Sequence, residues 1–433
     1  MTDQAATENA AIEAASPALA ALLSPLGRRA TFPPDIPFQA AAARGKAFNA
    51  TIGQVTDGEG RALGLSPVEA ALSGLSGEDR NRALLYSPIA GLPELRDRWR
   101  GWQRRGVAVE KSSSLPVVTV GLTHGLSLVA DLFAGEGRAV AVPAPFWGNY
   151  RQTFALRTGA RVLSAPAYRH GRYNPKALTE ALAEEPEGEP ALAILNHPSN
   201  PGGYMPTPEE RAELVAALVG EADRRPLLVV CDDAYAGLVY EPEVSRDSIF
   251  WDLVGVHPSL VPVKIDGGTK ELSFFGGRVG FVTFPFAPES AAAEALDSKM
   301  MCLSRATVGS PVAASQVVLL QALRDGAIEA EVEALRQRLG DRYRTLRSAL
   351  AGIDPELLTP LPFNAGCFAL LELAGGVDAD RVRRHLLDAH DTGLVSIGER
   401  YLRIAFCSVR NAALPGLVER LSAGVAELQT ARV

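Results

Sequence analysis

Seven short apolar runs, each closed by turn residues, constrain this chain more than any other feature. They are LPVVTVG, AVAVPAP, RVLSAP, ALAILNHPSNPGG, LLVVCDDAY, VPVKIDGG and GRVGFVTF. Their cores lack the polar alternation of a half-exposed strand, so each predicts a strand covered on both faces. Helical stretches such as THGLSLVADLF and TPEERAELVAALVGEA separate most of the runs. That alternation predicts an α/β architecture, a mainly parallel central sheet with helices on both faces. GLPELRDRWRGWQRRG, with Pro near its start and Gly at its end, predicts one of the flanking helices.

The character changes after Pro311. A long helical stretch, 312–352, leads into CFALLEL, another helix and YLRIAFCS, which predicts a smaller α+β domain. At the other end, residues 1–30 are Ala-rich and predict one helix or a loose arm; 35–45 reads as helix and 47–53 as a short extended piece. The expected division is 1–54 as an arm and part of the small domain, 55–310 as the large domain, and 311–433 as the small C-terminal domain. A chain of 433 residues is long enough for two cores.

Charge narrows the partners. The net charge is −7 and the Lys and Arg residues are scattered, whereas nucleic acid or an anionic membrane calls for a basic face. The acidic opening MTDQAATENAA is unlike a signal peptide, and no run approaches the length of a membrane span. A soluble, cytoplasmic protein is expected. The four cysteines form no CxxC pair; Cys231, Cys367 and Cys407 sit in apolar runs and are expected as buried, reduced thiols. No residue is assigned to a metal.

Ligands of an open α/β sheet collect at the carboxyl ends of its strands. Here those ends offer Leu122 and Thr123 at a Gly-flanked helix start, then Trp147, Asn200, Asp232 with Asp233 and Tyr235, and Thr269 with Lys270, followed by Arg278. Together they suit a flat, phosphorylated aromatic aldehyde, which needs an amine, a carboxylate for a ring nitrogen, a stacking ring and phosphate donors.

Several motifs carry a family resemblance. NHPSNPGG resembles the NPxNPTG signature of fold-type I aminotransferases of class I/II, and DDAY resembles their D-x-x-Y. GGTKELSFFGGRVG resembles their S-x-S-K followed eight residues later by Arg, and GLPELR after Tyr86 and YLRIAF fit the same order. The resemblance runs from about Asp35 to the C-terminus. It implies pyridoxal 5′-phosphate (PLP) held as a Schiff base on Lys270, which also shuttles a proton at the substrate. Asp232 is then the partner of the pyridine nitrogen, and Tyr235 and Asn200 the partners of the 3′-oxygen. Trp147 stacks on the ring; Arg278, Thr269 and the Leu122–Thr123 amides grip the phosphate. Arg403 takes the substrate α-carboxylate in a pocket that Gly53 lines and Asn200 adjoins. Tyr86 reaches the phosphate of a neighbouring subunit, which implies a homodimer. SRATVGSPVAA resembles a segment of aspartate aminotransferases whose Arg binds a substrate side-chain carboxylate in the neighbour's site, and Arg305 holds that position. A structural role at the domain junction is the equal alternative for Arg305.

The implied activity is transfer of an amino group from an L-amino acid to a 2-oxo acid, with 2-oxoglutarate the expected acceptor. A PLP lyase or decarboxylase shares the scaffold and stays open. A ligand-sensing domain is disfavoured by the absence of a helix-turn-helix. Gly267 departs from the family pattern by replacing a phosphate-binding Ser, Gly202 replaces a Thr, and the segment 391–406 is shorter than usual.

Overall fold

All seven apolar runs form strands of one sheet in this computed structural model, which describes residues 3–33, 35–107 and 110–430. The order across the sheet is Val117–Val120, Val279–Thr283, Leu260–Asp266, Leu227–Asp232, Ala191–Asn196, Ala139–Ala144 and Arg161–Pro166. The last five named run parallel, and Val279–Thr283 is antiparallel to both of its neighbours. Alternate side chains enter two different cores, as a pleat covered on both faces requires. Ala193, Leu195, Val229 and Cys231 pack with Leu214 and Leu218 on one side. Leu192, Ile194, Val230 and Ile265 pack with Leu126 and Val129 on the other.

A second, antiparallel sheet is built from Leu358–Pro360, Phe368–Leu373, Tyr401–Ala405 and Val395–Ile397, in that order. The N-terminal segment joins this part of the chain, because Phe48–Asn49 pairs in parallel with Thr392–Gly393. The expected long helix after Pro311 is two helices, Ala313–Arg324 and Ile328–Leu350. They are broken at Asp325–Gly326, where the Asp325 carboxylate accepts from the amide of Ala327 at 2.8 Å. The Ala-rich start is neither one helix nor a loose arm. It forms Asp3–Ala15, Pro17–Leu22 and Pro25–Arg29, and each of the last two opens on a Ser whose hydroxyl caps a helix with Pro at its first turn. No described helix is long and apolar enough to cross a membrane. Cys231, Cys367 and Cys407 are buried and Cys302 is exposed.

One charged cluster interrupts the apolar core. Lys264, in the middle of its strand, is buried between Asp233, which it bonds directly, and Asp266 at 3.4 Å. Burial alone would strip its proton, but the two carboxylates outweigh that and hold its pKa above the ordinary lysine value. Asp266 in turn accepts from the Trp99 indole at 2.9 Å and from Gln103 at 3.0 Å, both on the helix Pro93–Gln103. Lys264→Met, which keeps the volume and removes the charge, leaves two buried carboxylates without their cation. It is expected to cost about 3–5 kcal/mol, read as a lowered urea midpoint at pH 7.

Candidate active site

The carboxyl ends of these strands open into a cavity of about 280 Å³ that also borders the smaller sheet. Eleven of the thirteen residues singled out in the sequence line it: Gly53, Leu122, Thr123, Trp147, Asn200, Asp232, Tyr235, Thr269, Lys270, Arg278 and Arg403. Tyr86 and Arg305 lie outside it. Tyr86 is 95% exposed and Arg305 sits exposed in the last turn of the helix Ala291–Thr307.

Asp232 ends its strand and Asp233 follows, so their side chains take opposite faces of the sheet. Asp232 meets the cavity side, where the Tyr150 hydroxyl donates to it at 2.5 Å and the Ala234 amide at 3.2 Å. Asp233 turns to the other core, where Ser248 donates at 2.6 Å and Lys264 bonds it. Burial is the main influence on Asp232 and pushes its carboxyl up to about 6, against the opposing pull of the Tyr150 hydrogen bond. Asn196, one strand over, holds the arrangement: its amide donates to the Asp232 carbonyl at 2.9 Å, and its oxygen accepts from the Asn200 backbone at 2.7 Å.

Lys270 follows the strand Leu260–Asp266 by one tight turn. Its amine stands 4.6 Å from the Phe275 ring centre and 5.5 Å from that of Tyr235. Burial lowers its pKa, and the guanidiniums of Arg278 and Arg403 act in the same direction. Arg278 holds a left-handed backbone, φ 52°. Its guanidinium lies so close to Gly121, the first residue of the helix Gly121–Phe133, that a Cβ there would stand 2.5 Å from it. Arg403 comes from the smaller sheet. It donates to Asn200 Oδ1 at 2.9 Å and to the Thr51 carbonyl at 2.5 Å, and its guanidinium lies 4.3 Å from the Phe368 ring centre. Burial lowers its pKa to about 10. Gly53 is where Phe368 closes on the N-terminal segment, since a Cβ there would stand 2.5 Å from the ring.

The site fits PLP. The Thr269 hydroxyl and the Arg403 Nε are buried with no partner among the described residues, and both residues line the cavity. The helix amides after Gly121, with Arg278 beside them, form an anion-binding end. An amine, a buried carboxylate and the half-buried Trp147 complete the donor set. Gly267 explains its own departure from the Ser of related sequences. A Cβ there would stand 2.5 Å from the Val279 carbonyl oxygen, so the loop packs against the neighbouring strand where a side chain would sit.

Sequence reasoning missed Tyr150, Asn196, Phe275 and Phe368. Tyr150 had a signal, standing three residues after Trp147, and so did Asn196, the polar end of an otherwise apolar strand. Phe275 and Phe368 had none, because each is placed by contacts distant in sequence.

Asp232 generates a test on cofactor-free protein. The folded carboxyl keeps its proton up to about pH 6, and an unfolded one releases it near 3.9. Its contribution therefore falls as pH rises between those values, by about 2–3 kcal/mol in total. Asp232→Asn should remove that fall, so the variant gains on the wild type as the pH is raised from about 4 to about 7. Unfolding midpoints across that range read the difference.

Comparisons with known proteins agree with the geometry. The family model for aminotransferase class I and II matches residues 48–421. An aspartate aminotransferase of Bacillus sp. (strain YM-2) is 25% identical over 62% of this chain and 63% of its own length, so the match spans a little under two thirds of that relative. An asparagine–oxo-acid transaminase of Streptococcus mutans is 25% identical over 73% of this chain and 76% of its own. The fold is shared with an aminotransferase from Anaerococcus prevotii, at TM-score 0.80 and 20% identity over 93% of this chain and 98% of that one. With matching motifs at the cavity and a family model spanning both sheets, the chain belongs to the class I and II aminotransferases, a family of pyridoxal 5′-phosphate enzymes.

Proposed function

We propose that this protein is a transaminase that moves an amino group from an L-amino acid to a 2-oxo acid, 2-oxoglutarate being the acceptor we favour. The observation that carries the reading is the convergence of Lys270, Asp232, Arg278 and Arg403 on one cavity. Bound PLP supplies an electron sink for charge developing at the substrate α-carbon. On this reading Lys270 would hold the cofactor's aldehyde carbon, and its amine is the group placed to move the substrate's α-carbon proton. Its lowered pKa favours the neutral amine that this work needs. Asp232 keeps a proton on the pyridine nitrogen, with Tyr150 fixing the carboxylate's orientation. Tyr235 and Asn200 serve the 3′-oxygen, and Trp147 covers the ring. Arg278, Thr269 and the Leu122–Thr123 amides hold the phosphate. Arg403 takes the α-carboxylate, a charge-assisted bond that Phe368 and Gly53 shape from behind.

The same reading makes the active unit a homodimer, with the larger domain at 55–310 and the smaller formed by 1–54 and 311–433. Support comes from a cluster of exposed apolar side chains, Leu84, Leu85, Tyr86, Val308 and Val312. The hydrogen bond from Ser87 to the Pro311 carbonyl, 2.7 Å, ties the two segments together. Such a patch is more than scattered surface residues require. Tyr86 and Arg305, both outside this chain's own cavity, are free to serve the partner's, Tyr86 at the phosphate and Arg305 at a substrate side-chain carboxylate.

Two experiments decide the matter. A screen of amino donors against 2-oxo acids on PLP-loaded protein should yield a new amino acid, and Lys270→Ala should lower turnover by at least about a thousandfold. Release of ammonia or a thiol with no new amino acid would point to a lyase. For the dimer, two inactive variants, Lys270→Ala and Tyr86→Arg, are mixed and refolded together. One site of each mixed dimer then collects both lesions and the other none, so partial activity should return. No recovery in verified mixed dimers would remove the shared-site reading.

A further inference from the structure

Two of the six histidines of the chain meet one carboxylate outside the cavity described above. His385 lies on the helix Ala379–Ala389 and His390 caps its end; Glu427 lies on the helix Leu414–Thr430. The Nε2 atoms of His385 and His390 stand 2.6 and 2.9 Å from the same oxygen of Glu427. The three ligand atoms all lie within 4.8 Å of one another. None of the three residues lines the active-site cavity.

The geometry points to a divalent transition-metal site here, with zinc the best match, that pins the C-terminal helix to the helix before it. Two imidazole nitrogens and one carboxylate oxygen are a borderline donor set suited to zinc, cobalt or nickel rather than to calcium or magnesium. Zinc takes His nitrogen at about 2.0–2.1 Å and carboxylate oxygen at about 2.0–2.2 Å in a tetrahedron, which sets ligand atoms about 3.3 Å apart. Each nitrogen needs to draw back from the Glu427 oxygen by roughly half an ångström to admit the ion, and Glu427, half-exposed near the helix end, has room to move. The fourth position falls to water.

The frame around the site is fixed independently of the ligand atoms. The His390 carbonyl accepts from Arg420 at 2.6 Å and from the Thr392 hydroxyl at 2.8 Å, so the backbone is held while the ring stays available. Gly424, one turn before Glu427, lets Leu386 and that ring approach, since a Cβ would stand 2.6 Å from Leu386 Cδ2. A Cβ there would stand 3.2 Å from His390 Cδ2 and 3.4 Å from its Nε2. None of the three residues lines the cavity, so the ion's work is to cross-link two helices.

The test uses untagged, PLP-loaded protein stripped with a chelator and dialysed against micromolar zinc chloride in amino-acid-free buffer. One zinc per chain by elemental analysis and a zinc-dependent rise in Tm are expected. His385→Ala, His390→Ala and Glu427→Gln should each weaken binding at least about tenfold, since even partners of a metal's ligands cost that much when lost. Glu427→Gln can still accept a hydrogen bond from either ring, so it guards against a variant that loses zinc because it misfolds. Cobalt in place of zinc should give the visible absorption of a tetrahedral centre, absent in all three variants. Less than stoichiometric zinc in the wild type, or equal binding by wild type and Glu427→Gln, would overturn the assignment.

Discussion

Two carboxylates stand next to each other at the end of a strand buried on both faces, and the structure turns on satisfying each differently. Asp233 is met from the far side of the sheet by Lys264 and Ser248. Asp232 keeps only uncharged donors, Tyr150 and the Ala234 amide. Neutralising the first leaves the second as the acidic group that faces the cavity. Lys264 extends the arrangement by holding Asp266, which accepts from Trp99 and Gln103. Glu271 does the same beyond Lys270, accepting from Trp102 at 3.1 Å and Arg105 at 3.0 Å. Lys270 is thus bracketed by two carboxylates, buried Asp266 and half-buried Glu271, both anchored to the helix Pro93–Gln103 and its end. A reactive amine on a loop gains from such a frame, because its position no longer depends on the loop's own stiffness.

The cavity's electrostatics explain what kind of ligand it awaits. Three cationic side chains, Lys270, Arg278 and Arg403, face one carboxylate. Burying two of these charges, on Lys270 and Arg403, is costly, and their depressed pKa values express the cost. A dianionic phosphate at one end and a carboxylate at the other offset it.

The strands were readable because burial on both faces leaves little freedom in residue choice: a run such as ALAIL has few other stable settings. Their ends were readable for the complementary reason, since polar residues appear where the sheet stops. What escaped notice was placed by neighbours rather than by pattern. Phe368 belongs to a run that reads only as strand, yet its ring backs Arg403 and closes on Gly53. The break at Asp325–Gly326 was hidden inside an otherwise continuous helical pattern, where a single Gly weighs little against its surroundings. At the N-terminus two Ser-Pro steps carried the signal for separate helices, and Ala richness masked it. The zigzag of Asp232 and Asp233 is the intermediate case, where the D-x-x-Y register selected the cavity-facing residue and the fold supplied the other's partner.

The bond between Arg403 and the Thr51 carbonyl joins residues 352 positions apart in the chain. At about 5–20 residues per second, the two partners leave the ribosome roughly 20–70 s apart. The seven-stranded sheet can form only in about the last third of that interval, once Val279–Thr283 has emerged, and until Arg403 follows one wall of its cavity is missing. Closure of the cavity waits on the Tyr401–Ala405 strand, so a chain that stops before it lacks Arg403 and cannot complete the site.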